Sequence, residues 1–253
     1  MQHQDILEEA RRILGTAEDR GVTLRLLGGV AIQLRCPSAK HRALTRKVPD
    51  IDFIGLENQS KGIKKILLDL GYVAAERFNA LHGKKRLLFN DAKNNRQVDI
   101  FLDRFEMCHK FDFRHRLAID RDTLPVADLL ITKLQIIKLN EKDYKDILCL
   151  LKDYETGKSD TQGQMNYQYI AALCSKDWGL WRTFTMNLER VLSSLDDYDL
   201  GEDGKALIRS RIKKLLEMIE AEPKSLGWKA RSKMGEKIPW YDEPATPTKI
   251  TFD

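Results

Sequence analysis

Cysteine is scarce in this chain of 253 residues, and its pattern excludes the usual cysteine-based sites. The four cysteines are Cys36, Cys108, Cys149 and Cys174. None belongs to a Cys-x-x-Cys pair, and none has a histidine at zinc-finger spacing. The pattern indicates reduced thiols in a cytoplasmic protein, rather than a disulfide framework or a zinc site.

Long apolar runs are also absent. No uncharged apolar stretch reaches the roughly 18 residues of a membrane-spanning helix, so we expect no such helix. The first five residues lack a basic region followed by an apolar one, so we expect no signal peptide. The sequence shows no internal repeat. These absences favour a cytoplasmic protein with no membrane partner.

What the sequence does contain is enough apolar material for a core, together with a mild excess of positive charge. Apolar residues make up 42% of the chain and charged residues 32%, and the net charge is +5. A chain of this length folds as one large domain or two modest ones. The basic bias is compatible with a phosphate-bearing partner.

The apolar patterns predict an α+β protein whose two halves differ. Strands are predicted over residues 23–27, 50–55, 72–78, 85–89 and 96–103, with a further extended piece over 113–119. Helices are predicted over residues 5–20, 30–34, 60–70, 125–139, 141–154, 165–175, 179–195 and 204–221, with a polar linker over 156–164. We therefore expect a head domain over residues 1–122, an all-α domain over 123–222 and an extended tail over 223–253.

Two glycines, Gly28 and Gly29, end the first predicted strand and precede a helix. Glycine lets the backbone turn tightly and approach a ligand closely, and a helix N-terminus behind such a turn attracts phosphate. A plain turn is the alternative. The residues from Arg35 to Lys47, which include Arg46, are basic without a single acid. They form a solvated loop or steer a polyphosphate or an RNA backbone.

Three aspartates carry the strongest chemical signal. Asp50 and Asp52 alternate along one predicted strand, so their side chains point the same way. Asp99 lies among apolar residues on a later strand, and if the two strands are neighbours, three carboxylates converge. Such a cluster is costly without a cation, and Mg²⁺ is its ordinary resident. The alternative is that these aspartates lie at strand ends and are solvated. For Asp103, at the end of the later strand, we expect a solvated side chain.

These residues resemble the nucleotidyltransferase fold of the DNA polymerase β superfamily, whose pattern is a glycine pair, Asp-x-Asp and a later carboxylate. The resemblance implies a mixed sheet with flanking helices. It also implies that Asp50 and Asp52 hold Mg²⁺ or Mn²⁺ and that Asp99 completes this metal site. From the residues themselves, we expect Asp99 to help deprotonate the attacking hydroxyl, and Gly28 and Gly29 to bind phosphate. The implied activity transfers a nucleoside monophosphate from a nucleoside triphosphate to an acceptor hydroxyl.

A second element resembles the AbiEii branch of that superfamily, which includes toxins of toxin–antitoxin pairs. Lys133 lies on one predicted helix, and Lys142, Asp143 and Asp146 form a Lys-Asp-x-x-Asp element on the next. The resemblance implies that Lys133 contacts the nucleotide phosphates and that the other three border the site. We expect Lys133 and Arg46 to offset the triphosphate charge. It favours an RNA acceptor such as a tRNA end, and a cognate antitoxin protein as partner.

Other interpretations of these helices and of the whole chain stay open. Lys142 with Asp146, and Glu141 with Lys145, are four residues apart and form ordinary salt bridges on an exposed helix. Lys133 is flanked by apolar residues, and its ammonium group either reaches the site or extends into solvent. The acceptor is alternatively a protein hydroxyl or a small molecule such as an aminoglycoside. A non-catalytic module that binds RNA or a partner protein is the competing class.

Overall fold

The computed structural model describes residues 2–161 and 163–243. The strands are β1 (Leu24–Leu27), β2 (Ile51–Gly55), β3 (Val73–Ala74), β4 (Arg86–Asp91), β5 (Arg96–Leu102), β6 (Arg104–Glu106), β7 (Lys110–Asp112), β8 (Glu155–Gly157) and β9 (Gln164–Asn166). The helices are α1 (Ile6–Asp19), α2 (Gly28–Arg35), α3 (Ser60–Asp69), α4 (Glu76–His82), α5 (Val126–Leu134), α6 (Glu141–Asp153), α7 (Tyr167–Lys176), α8 (Trp178–Ser194), α9 (Gly201–Ala221) and α10 (Leu226–Ser232).

A five-stranded mixed sheet in the order β1-β2-β5-β4-β3 forms the centre of the N-terminal half. The β2 and β5 strands are parallel, and the other neighbours are antiparallel. Six of the seven residues of β5 are buried, because this strand is central in the sheet and lies beneath helices. The expected α+β class with a mixed sheet is therefore confirmed.

Helices dominate the C-terminal half, as the sequence predicts. The longest of them, α9, buries Ile208, Ile212, Leu215 and Ile219, which recur every three or four residues and so lie on one face. These residues belong to the same apolar cluster as the sheet residues Phe53 and Ile100. The boundaries expected for the three domains remain a prediction.

The segment after β3 corrects one prediction, because residues 76–82 are helical rather than part of a strand over 72–78. The Asn79 side chain explains the change. Its amide donates to the carbonyl of Leu88 at 3.0 Å, and its carbonyl accepts from the Leu88 N–H at 2.7 Å. One side chain thus satisfies backbone groups of β4 that a longer β3 would otherwise pair.

The helix predicted over 125–139 ends at Leu134, and the physical reason is a side chain from α8. Asn187 donates to the carbonyl oxygens of Leu134 and Ile136, at 2.8 and 2.7 Å. These bonds satisfy carbonyl groups that a helix end leaves without an internal partner. The chain then turns, and α6 begins behind an Asn140–Asp143 capping box.

Three more predictions were wrong in detail. The extended piece over 113–119 is a series of turns, in which Arg116 and Leu117 donate to the Phe113 carbonyl. The polar linker begins within β8 and ends at the first residue of β9, and these two strands form a short parallel pair. The hairpin β6–β7 was not predicted. The tail contains α10, so residues 226–232 are helical rather than extended, and the Trp240 ring packs edge-on against Trp178. The rest of the tail, residues 244–253, lies outside the described residues.

The structure also bears on the membrane-spanning helices and on the cysteines discussed above. Among the described residues, no helix combines the length and the apolar character needed to cross a membrane. The cysteines are four buried free thiols.

Candidate active site

The parallel pairing of β2 with β5 brings two of the predicted aspartates side by side. Asp52 and Asp99 are register partners on the two strands. Asp50 lies one residue before β2, at the same end of the sheet. Because parallel partners present their side chains to the same face, the Asp52 and Asp99 carboxylates share one face of the sheet.

The glycine turn lies directly against this pair. Leu27, the last residue of β1, is the register partner of Asp52, so the next residue begins α2 beside the carboxylate. Gly28 has φ +67°, and a Cβ there would collide with the Asp52 carboxylate. A Cβ on Gly29 would come within 3.0 Å of Val48 and would also meet the Arg46 guanidinium. Both positions therefore require glycine for close approach.

The α2 helix begins at Gly28 itself rather than at residue 30. No side chain caps its N-terminus, because Leu27 precedes it. The amide groups of this first turn therefore have no side-chain cap, and the phosphate role of the glycine pair stays a prediction.

Burial and mutual repulsion disfavour the ionised form of the carboxylates. Burial, and then the Asp99 charge, raise the pKa of Asp52 to about 7, although the charges of Lys133 and Arg86 act in the opposite direction. Burial also raises the pKa of Asp50, and the Asp99 charge adds to this, while the Lys142 charge opposes it. An additional cation at this end of the sheet would therefore stabilise the ionised carboxylates.

Arg86 is a site residue that the sequence interpretation missed. Its Nε–H donates to Asp99 Oδ1 at 2.7 Å, and Nη2 bonds to Oδ2. In the antiparallel pair β4–β5, Asp99 lies opposite Leu88 and Arg86 lies opposite Phe101, so Arg86 and Asp99 are diagonal neighbours on one face. An arginine directly before the apolar run Leu87–Phe89 is a signal that could have identified it.

The predicted basic residues meet at Asp146 on α6. Arg46 forms a fork to this carboxylate, with Nε–Oδ1 at 2.7 Å and Nη2–Oδ2 at 2.6 Å. Lys133 Nζ lies 2.8 Å from Asp146 Oδ2 and 3.3 Å from Asp143 Oδ1. Burial opposes the charge of Lys133, but the two aspartates outweigh it and raise the pKa of the amine. Lys133 therefore does not simply extend into solvent.

The remaining residues of the Lys-Asp-x-x-Asp element differ from one another. Lys142 is exposed, and its charge acts on Asp50. The Glu141–Lys145 pair forms as the helical spacing predicts, at 3.6 Å. Asp143 belongs to the capping box of α6.

Asp103 at the end of β5 is half-buried, not simply solvated as expected. Its carboxylate accepts a hydrogen bond from the Glu57 N–H at 3.0 Å.

The donor chemistry fits a hard divalent ion, and Asp50, Asp52 and Asp99 are the residues that would hold it. Two adjacent carboxylates, of which one has a strongly raised pKa, match the oxygen ligands that Mg²⁺ and Mn²⁺ prefer. Among the described residues, no group of three His, Cys, Asp or Glu side chains stands ready to hold a metal ion. The three-aspartate metal site therefore stays a prediction.

Comparison with known proteins gives only distant similarities. No protein-family model matches the sequence, and no curated protein matches it significantly. A lincomycin-bound lincosamide antibiotic adenylyltransferase, LnuA, is 18% identical, with a TM-score of 0.42 over 56% of this chain and 94% of its own. The antibiotic-resistance factor ANT(2'')-Ia is 13% identical, with a TM-score of 0.40 over 85% and 94%. Such distant likeness assigns neither activity nor substrate, so function rests on the site itself.

Proposed function

We propose that this protein is a metal-dependent nucleotidyltransferase. One observation carries the proposal: the Asp52 and Asp99 carboxylates adjoin on parallel strands, directly against a glycine turn that opens a helix. In this proposal a cation binds at the two carboxylates and the triphosphate binds at the adjacent glycine turn. A metal nucleoside triphosphate needs both kinds of binding group close together.

Each residue of the site has a distinct role in this proposal. Asp50, Asp52 and Asp99 hold Mg²⁺ or Mn²⁺, which when bound offsets the negative charge of the phosphates. The amide groups that follow Gly28 and Gly29 bind the triphosphate. The Asp146 carboxylate orients Arg46 and Lys133 at the border of the site, where their positive charges lie near the phosphates.

The reaction transfers a nucleoside monophosphate. The acceptor hydroxyl oxygen forms a bond to the α-phosphorus, the bond from that phosphorus to the bridging oxygen breaks, and pyrophosphate leaves. Asp99 takes the hydroxyl proton, as predicted from the sequence. Although Arg86 bonds to both oxygens of Asp99, a carboxylate has about four lone-pair positions, so two bonds leave room for this role.

RNA, such as a tRNA end, is the proposed acceptor, which corresponds to a toxin of the AbiEii type with a cognate antitoxin. The support is the Lys-Asp-x-x-Asp element on α6, together with the exposed Lys47 and Lys142, which suit a phosphate backbone. A protein hydroxyl and a small-molecule hydroxyl of the aminoglycoside type are the alternative acceptors.

The test is to incubate the protein and Mg²⁺ with each nucleoside triphosphate labelled at the α-phosphorus, in the presence of total tRNA, cell protein or an aminoglycoside. We expect label in tRNA and release of pyrophosphate. Label in protein or in the aminoglycoside would keep the enzyme class but contradict the RNA acceptor. No label in any of the three would favour the non-catalytic module.

A further inference from the structure

Arg86 is held on two sides in a way that fixes its guanidinium group over the sheet. On one side, its Nε and Nη2 groups form a fork with both oxygens of Asp99. On the other side, its Cζ lies 4.7 Å from the centroid of the Phe101 ring and 5.9 Å from that of Phe78. The stacking and the fork together restrict the side chain, so its charge has a defined position.

The other cations near the carboxylates are committed elsewhere or exposed. Lys133 bonds to Asp146 and Asp143, and Arg46 bonds to Asp146. Lys142 is exposed to solvent. Among the ion pairs of the described residues, Arg86–Asp99 is the one that engages a carboxylate of the Asp50, Asp52 and Asp99 cluster. The Asp99 side chain is only 5% exposed, so solvent does little to replace that partner.

We propose that Arg86 is the built-in counter-ion of the carboxylate cluster and that its charge limits the affinity of the cluster for a divalent cation. This inference rests on the proposed function, because it concerns the same metal site. Two consequences follow. The fork from Arg86 holds the Asp99 carboxylate in one orientation without help from a metal, and any metal that binds must share Asp99 with a fixed positive charge.

A matched ion pair on the same two strands provides the control. Arg96 at the start of β5 pairs with Asp91 at the end of β4, at 2.7 Å, and both side chains are buried. It has the same chemistry and connects the same strands as Arg86–Asp99. Asp91 and Arg96 lie at the opposite end of these strands from Arg86 and Phe101, and neither of them is a residue of the candidate site.

The experiment measures melting temperature and Mg²⁺ binding by calorimetry for the full chain and the variants Arg86→Met and Arg96→Met. Both substitutions leave a buried carboxylate unpaired, so both should lower the melting temperature without added metal. Only in Arg86→Met should millimolar Mg²⁺ restore most of the loss. That variant should also bind Mg²⁺ on the order of tenfold more tightly than the unchanged protein, because a fixed positive charge is gone.

The variant Arg86→Lys covers the case in which Arg86→Met does not fold. Lysine keeps the charge but loses the fork, so Mg²⁺ affinity should stay within about twofold of that of the unchanged protein. Arg86→Lys binding Mg²⁺ as tightly as expected for Arg86→Met would overturn the inference. The inference would also be overturned if Mg²⁺ raised the melting temperatures of Arg86→Met and Arg96→Met by the same amount.

The outcomes separate this inference from the proposed function. If the unchanged protein binds Mg²⁺ and Arg86→Met binds no more tightly, the counter-ion inference fails and the metal site stands. If the unchanged protein does not bind Mg²⁺ but Arg86→Met does, the counter-ion inference holds and the proposed activity fails. If neither binds it, both fail.

Discussion

At the scale of single residues, Gly28 has a structural role in addition to the phosphate role predicted from the sequence. Gly28 adopts φ +67°, and its missing Cβ leaves space that the Asp52 carboxylate uses. The sequence indicated that a glycine was needed there, but it did not indicate which group would come close. That depends on the register of β1 against β2, which only the folded sheet defines.

Replacing Gly28 by alanine tests this close approach, and Gly21 provides the matched control. Both glycines have nearly the same positive φ, +67° and +66°, but a Cβ on Gly21 would meet nothing within 4 Å. Gly21→Ala should cost about 1 kcal/mol of unfolding free energy from backbone strain alone. Gly28→Ala should cost at least about 2 kcal/mol more, because it also displaces Asp52. Equal losses in denaturant titrations would contradict the contact.

The raised pKa of Asp52 gives a dependence of stability on pH with a definite sign. In the folded state the Asp52 carboxyl has a pKa of about 7, whereas in the unfolded chain it has its ordinary pKa of 3.8. Between these pH values the folded state binds more protons, so Asp52 costs stability as pH rises from about 4 to about 7. Above pH 7 the cost is constant.

Asp52→Asn should therefore be more stable than the unchanged protein at pH 8. With allowance for partial solvent exposure, we expect a difference of about 2 kcal/mol that shrinks toward zero near pH 4. Chemical unfolding at both pH values, without divalent metal, measures it. A difference that stays the same or grows toward pH 4 would show that Asp52 does not have a raised pKa.

At the scale of elements, Asp146 connects α6 to α5 and to the basic segment between α2 and β2. Arg46 is 100 residues away in the chain, yet both of its fork bonds go to Asp146. The sequence placed Arg46, Lys133 and Asp146 near one site but gave no reason for them to contact one another. The geometry indicates that Asp146 orients the two cations.

Asp146→Ala should lower the free energy of unfolding by about 3 kcal/mol, because it leaves the largely buried Arg46 without its carboxylate and leaves Lys133 only the longer contact to Asp143. Asp69 is the matched control. It also lies between two cations, Arg20 at 2.5 Å and Lys65 at 3.4 Å, but its side chain is 37% exposed against 5% for Asp146. Asp69→Ala should cost less than about 1 kcal/mol. Similar losses for both variants would argue against a buried network at Asp146.

Prediction of individual elements succeeded where the apolar pattern was strong. The alternation around Asp52 and the apolar run around Asp99 predicted β2 and β5 to within two residues at each end. The α4 helix was missed because its stability depends on Asn79 bonding to a strand nine residues further on. The early end of α5 depends in the same way on Asn187 from α8. Local patterns contain no information about such distant partners.

At the scale of the whole molecule, the candidate site is assembled from Arg86 on β4 and five other parts of the chain. The glycine turn, the basic segment, the β2 and β5 strands and the α5–α6 pair each supply part of it. The sequence identified these parts from residue types and from a family resemblance. It did not identify Arg86, because the partner of Asp99 is determined by strand register rather than by any motif.

Transfer of labelled nucleotide tests the central claim most directly. Two preparations of each nucleoside triphosphate, one labelled at the α-phosphorus and one at the γ-phosphorus, are supplied with Mg²⁺ and tRNA to the unchanged protein, to Asp52→Asn and to Asp103→Asn. Asp103 is the matched control, because it is a half-buried aspartate directly after β5 and has φ +60°, a conformation that asparagine tolerates.

We predict that the α-label enters the acceptor and the γ-label leaves as pyrophosphate. Asp52→Asn should reduce this transfer by at least about a hundredfold, and Asp103→Asn should leave it within a few-fold of that of the unchanged protein. Transfer of the γ-label to the acceptor, or transfer by Asp52→Asn at the rate of the unchanged protein, would contradict a nucleotidyltransfer site at these carboxylates.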